Sequence, residues 1–270
     1  MHLQITAASH VGRRPSNQDA FAIEEAIGLA VVADGMGGHP GGEVAAALAV
    51  AAVHDTIAAL ASDDNPTWPW PLDPTASVGA NELAIATAQA QRALEARRHG
   101  RLAEMGTTIA MIHLLGRQVH VAHVGDSRVY LLRDGALHAL THDHSVLGEL
   151  QRAGVDLASR ADHPWGNAIT RALGPPTCAP DLRDVAARVG DVFVLCTDGL
   201  WEPVAPATLG ALAQGPSADA ACDALIHEAL RQGGRDNITV VLARVAAGPR
   251  RPGHASPSAS SPAPSSPKSP

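Results

Sequence analysis

Apolar residues along this chain fall into two kinds of pattern, short continuous runs and longer stretches with helical spacing. Leu29–Ala33 is a five-residue apolar run bounded by Gly28 and by Asp34-Gly35, which predicts a short buried strand. An Ala-rich stretch from about Glu43 to Leu60 predicts a helix, and its apolar part from Val44 to Val53 is interrupted by His54 and Asp55. A second helix is predicted from about Asn81 to Arg98, because Leu83, Ala86, Ala90 and Leu94 recur on one face. Strands are expected at 107–114, 118–124, 128–133, 192–196 and 238–245, with helical stretches near 207–213 and 218–231. Helices arriving in pairs between runs of strands point to an α+β sandwich, not an alternating parallel sheet.

From about Gly248 the composition turns to Pro, Ser, Gly and Ala, which cannot bury enough apolar surface to fold. The expected organisation is one domain over residues 1–246 and a disordered Pro/Ser-rich tail over 247–270. The 270 residues carry a formal net charge of −7, so no general positive field attracts nucleic acid. Lys268 is the only lysine, which excludes a lysine-based phosphate loop in the domain. Phosphate chemistry must then rest on arginine, backbone N–H groups or metal. Cys178, Cys196 and Cys222 form no paired motif, and such sparse cysteines suit a reducing compartment. With no signal-like N-terminus and no run read as a membrane span, a cytoplasmic protein is expected.

Four aspartates share one local setting. Asp34 and Asp198 each follow an apolar run and precede a glycine; Asp126 follows Val119–Gly125; Asp236 immediately precedes the run from Ile238. Any one alone reads as a turn. Four carboxylates at the tips of rigid strands would repel one another unless cations neutralised them. Oxygen ligands without a Cys/His set favour Mg²⁺ or Mn²⁺ over zinc. Glycine after Asp34 and Asp198 permits close approach of the backbone. Arg14, five residues before Asp19, offers a guanidinium suited to a phosphate dianion.

The ordered set of motifs resembles the metal-dependent protein phosphatases, the type 2C Ser/Thr family, especially its short bacterial members. Those motifs are Arg14-x-x-Asn17-Gln-Asp19, Val31-Val-Ala-Asp34-Gly-Met-Gly-Gly-His39 through Glu43, Met105-Gly-Thr-Thr108, Val124-Gly-Asp126-Ser-Arg-Val-Tyr130, Leu140-Thr-x-Asp143-His-Ser145, Ile169-Thr-Arg-Ala-Leu-Gly174, Cys196-Thr-Asp198-Gly-Leu-Trp201 and Arg235-Asp236-Asn237-Ile-Thr239. The resemblance implies a four-layer α-β-β-α sandwich with two central antiparallel sheets and a centre of two metal ions, with a possible third. It implies that Asp34 bridges two ions and that the Gly35 carbonyl binds one of them. Asp198 and Asp236 complete the first ion's shell, Asp19 acts mainly through water, and Asp126 holds the third ion. Arg14 would grip the phosphate, and His39 is the candidate general acid. Water bridging two ions would attack phosphorus in line.

Two positions depart from relatives: Met36 stands where eukaryotic members have histidine, and Gln18 where some members have glutamate. Implied partners are phosphorylated proteins, with a Ser/Thr kinase and its substrates among them, and neither nucleic acid nor membrane. The Trp68-Pro-Trp70 segment is a candidate docking surface or, equally, a rigid loop packed on the domain; residues 140–174 form a flap near the site, with His142, His144 and His163 as polar loop residues. Competing readings are an inactive phosphoprotein-binding relative and a phosphodiesterase, the latter disfavoured because no histidine pairs with these aspartates.

Overall fold

A computed structural model describes residues 1–37, 41–63, 68, 71–155, 168–174 and 179–248. The expectations for His39, Trp70, His163, Cys178 and most of the 247–270 tail therefore lie outside the described residues. One sheet has the order β1 (His2–His10), β11 (Ile238–Ala246), β10 (Val192–Cys196), β7 (Arg128–Arg133) and β8 (Ala136–Ala139). The other runs β2 (Asp19–Glu24), β3 (Leu29–Met36), β5 (Ile109–Leu115), β6 (Gln118–Val124) and β9 (Asp181–Ala186), with the two-residue β4 (Gly106–Thr107) on β3. Every strand pair is antiparallel.

Alternate residues of each central strand face different layers, as the two-residue period of a strand requires. In β3, Leu29, Val31 and Ala33 pack under α1 (Gly41–Ser62) and α2 (Val78–Arg97), while Ala30 and Val32 face the opposite sheet. In β11, Val241, Ala243 and Val245 face inward, and Ile238, Val240 and Leu242 pack with α4 (Asp198–Trp201), α5 (Pro206–Leu212) and α6 (Ala218–Arg231). The short α3 (Val146–Arg152) lies between β8 and β9 in the chain. The result is helix, sheet, sheet, helix. Because both faces of these strands are covered, they read as continuous apolar runs although the sheets are antiparallel.

α1 has 22 residues and a mean hydropathy of 1.9 over its most apolar window, enough by length and composition to cross a membrane. Here Ala45, Ala46, Ala49, Val53 and Ile57 lie buried in the layer between the helices and β3. A small-residue stripe lets the helix approach the sheet closely. Cys196 and Cys222 are buried and unpaired in disulfides, as packing residues.

Phe193 is fully buried between the two sheets. Phe193→Ala is expected to destabilise the protein by about 3–5 kcal/mol, because the cavity cannot close between two rigid sheets. Urea unfolding measures this; a loss under about 1 kcal/mol would mean that the sheets can slide together.

Candidate metal centre

One end of the two sheets gathers the aspartates. Asp19 opens β2 and lies directly across from Asp34 in β3. From the other sheet come Asp198, which begins α4 as β10 ends, and Asp236, just before β11. Asp126 sits in the connection between β6 and β7 and is almost fully buried. Asp198 thus stands at the end of its strand, as expected, and also begins a short helix.

The glycines next to these residues act through close backbone packing. A Cβ on Gly35 would collide with the carbonyls of Gly42 and Gln18, and one on Gly199 with the carbonyl of Asn237. Only hydrogen there lets the Asp34 and Asp198 segments nest against the segments beside Asp19 and Asp236.

A hydroxyl and amide network fixes the carboxylates. Thr197 Oγ1 donates to Asp19 Oδ2 at 2.9 Å and accepts from the Thr239 amide at 3.0 Å. Thr108 Oγ1 accepts from the Asp34 amide at 3.0 Å and meets Ser127 Oγ at 2.7 Å, tying the Asp34 strand to the Asp126 turn. Asn237 Nδ2 donates to the carbonyls of Val11 and Ser16, and its Oδ1 accepts from the Gln18 amide, which brings the Arg14–Asp19 loop to β11. Thr197 and Thr239 were not singled out as site residues. The signal available was a polar residue within a buried strand end, beside each predicted ligand.

The electrostatics are those of excess negative charge removed from water. Burial pushes Asp19 up from 3.8 to about 7, against the hydrogen bonds from Thr239 and Thr197 and with repulsion from Asp236. Burial likewise raises Asp198 to about 7, followed by repulsion from Asp126, Asp236 and Asp19. Asp34 is pushed well above 3.8 by burial and then by Asp19, Asp198, Asp126 and Asp236. All five carboxylates therefore share one field. Asp198 Oδ1 is buried without a hydrogen-bond partner among the described residues. A buried carboxylate oxygen facing other carboxylates fits a hard divalent cation, whose charge removes both the repulsion and the orphaned acceptor.

Arg14 is about half exposed at the rim, and its Nη2 donates to Asp236 Oδ2 at 2.7 Å. The guanidinium has five N–H donors, so this bond leaves others for an incoming anion.

Asp126 is also held from the far side. Trp201, the last residue of α4, donates from Nε1 to the Asp126 carbonyl at 2.9 Å. The Arg128 guanidinium lies 3.3 Å from the Trp201 ring centre and makes a two-pronged ion pair with Asp143 at 2.8 Å. One end of α4 thus carries the Asp198 carboxylate, while the other braces the Asp126 turn.

His142 is exposed, as a loop residue would be, but His144 is fully buried. His144 also lies in an irregular segment after β8, but its ring packs against the Gly125 amide beside Asp126. Trp68 is half-buried, and its neighbours at 64–67 and 69–70 lie outside the described residues.

The family model described as protein phosphatase 2C matches residues 6–238. The chain is 39% identical over 233 residues to the serine/threonine protein phosphatase PstP of Mycobacterium tuberculosis, covering 86% of this chain and 43% of that protein. It thus spans less than half the length of that relative. It is 34% identical to the serine/threonine phosphatase stp of Listeria innocua, covering 84% of this chain and 88% of that protein. The crystal structure of the catalytic domain of PstP in complex with two manganese ions superposes with a TM-score of 0.77 at 36% identity, covering 91% of this chain and 99% of that one.

Proposed function

Since the chain belongs to the protein phosphatase 2C family, we propose that it is a metal-dependent protein phosphatase acting on phosphoserine and phosphothreonine monoesters. One observation carries the reading: five carboxylates from both sheets converge at one buried end, and an oxygen of Asp198 lacks a hydrogen-bond partner there. Asp34 with the Gly35 carbonyl, Asp198 and Asp236 are the residues that would hold two Mn²⁺ or Mg²⁺ ions. Asp19 would act mainly through water, and Asp126 would hold a third ion. Bound ions would neutralise the phosphoryl oxygens and activate water for in-line attack.

The protein's own residues set the geometry of that attack. Arg14 stands at the rim with donors left over from Asp236, placed to orient the phosphoryl group and offset its charge. Thr197 and Thr108 hold Asp19 and Asp34 in place from behind, so the ligands need little rearrangement when an ion arrives. His39 is the candidate proton donor to the leaving alcohol. We read residues 1–246 as the catalytic domain and 247–270 as a Pro/Ser-rich tail. Phosphorylated proteins, with a Ser/Thr kinase and its substrates among them, are the proposed partners in cytoplasmic signalling.

Phosphate release from a phosphothreonine peptide, measured with Mn²⁺ and with excess EDTA, tests the proposal. Release that depends on the metal is expected. Folded protein that releases no phosphate with either Mn²⁺ or Mg²⁺ would overturn it.

A further inference from the structure

His144 occupies an unusual place beside the centre. Its Nδ1 accepts from the Gly125 amide at 3.1 Å, and its own amide donates to the Gly125 carbonyl at 2.9 Å. Both polar groups of the residue preceding Asp126 are therefore held by one histidine. Gly125 adopts φ +102°, and a Cβ there would press on the Thr108 side chain, so the turn is closely packed on its other side. The His144 carbonyl accepts from the Thr170 amide at 2.8 Å, and Val146 N donates to the Ala168 carbonyl at 3.0 Å. The segment holding Gly125 is thus the same one that anchors the base of the 140–174 flap.

The ring itself is locked. It stacks on His123 with centroids 4.4 Å apart, and His123 Nε2 donates to the His142 carbonyl at 2.8 Å. His144 Nε2 lies 3.3 Å from Asp181 Oδ2, whose other oxygen pairs with Arg171 at 2.7 Å. The ring nitrogens and this carboxylate come within 4.8 Å of one another, but the set does not suit a cation. With Nδ1 accepting from Gly125, the proton of a neutral ring sits on Nε2, the atom a metal would need. Arg171 and Arg152 already supply Asp181 with positive charge. Burial, and then the neighbouring His123, lower His144 to about 4, consistent with a neutral ring that accepts at Nδ1.

We propose that His144 is a positioning residue for the Asp126 metal site: its Nδ1 and backbone amide pin Gly125, and so fix the Asp126 carboxylate relative to the flap base. The inference rests on the metal-centre reading of Asp126. Histidine ligands are commonly oriented by partners one shell out; here a histidine orients a carboxylate ligand through the backbone before it.

Calorimetric titration of the full chain with Mn²⁺ tests this, alongside Asp126→Asn to mark the step that belongs to Asp126. His144→Leu is expected to weaken that step by roughly 10–100-fold and leave the tighter steps in place. His144→Asn, whose Oδ1 can take over as acceptor, is expected to recover most of the loss. An unchanged step in His144→Leu, or equal weakening in both variants, would overturn the proposal. A parent protein with no Mn²⁺ step sensitive to Asp126→Asn would instead overturn the metal assignment of Asp126, and this inference with it. Nitrogen-15 NMR of the unmodified protein gives a check independent of whether the leucine variant folds. His144 should carry its proton on Nε2, and a proton on Nδ1 would overturn the proposal.

Discussion

Asp34→Asn is expected to lower phosphate release by roughly 10³-fold or more at saturating Mn²⁺. The amide keeps the size of the side chain but removes the charge at the point where the other four carboxylates converge. The same change has an opposite effect on the metal-free protein. Asp34 is repelled by Asp19, Asp198, Asp126 and Asp236, so neutralising it relieves that repulsion. The variant without metal should therefore melt above the metal-free parent at pH 8 while being catalytically dead. Calorimetric melting and peptide dephosphorylation, run on the same preparation, measure both. Retained turnover would end the assignment of Asp34 as a metal ligand. A drop in metal-free stability would show that its main role is structural.

A second large effect is expected in the pH dependence of stability. The carboxyls of Asp19 and Asp198 titrate near 7 in the fold, against 3.8 ordinarily, and Asp34 is raised as well. A group whose folded pKa is raised contributes stability that is complete below its unfolded value and is lost as pH climbs through the folded one. Without metal, Tm should fall between about pH 4 and pH 7, where the unfolded chain has released these protons and the fold still holds them. Mn²⁺ should reverse the loss, because the ion binds the ionised carboxylates of the folded protein. At a hundredfold excess over its dissociation constant a ligand adds about 2.7 kcal/mol. For a domain of this size that corresponds to a Tm rise of roughly 5–10 °C. The rise should be largest at pH 8 and smaller near pH 5.5, where protons compete for the same oxygens. A metal-free Tm flat from pH 4 to 7, with no Mn²⁺ shift at pH 8, would mean that the carboxylates do not form one coupled site.

Read along the chain, the amino-acid pattern alone determined the central strands and the long helices. β6, β7, β10 and α6 lie over the residues expected of them, because a strand covered on both faces must be apolar throughout and a surface helix must repeat its apolar face. The aspartates at the strand ends were legible for a related reason: charge is costly inside such runs and therefore conspicuous beside them. Edge strands β1, β8 and β9 left no such mark. Each has a neighbour on one side only, and their polar and exposed residues interrupt the apolar run. Thr107–Leu114 was expected as one strand, but Thr108 is spent on the Asp34 amide and Ser127, and two strands result.

Only the tertiary structure decided which carboxylates share a field. Asp19 and Asp236 are more than two hundred residues apart, yet each perturbs the same centre, since long-range strand pairing places their elements at one end of the sandwich. It also decided that Gly35 and Gly199 serve close backbone packing, and that Asp198 opens a helix whose far end braces Asp126. His144 is the clearest case. In sequence it is one of several histidines in a polar loop, and nothing local separates it from His142. Burial does: His142 is exposed, whereas the buried His144 ring sets Nδ1 against the Gly125 amide and Nε2 beside Asp181.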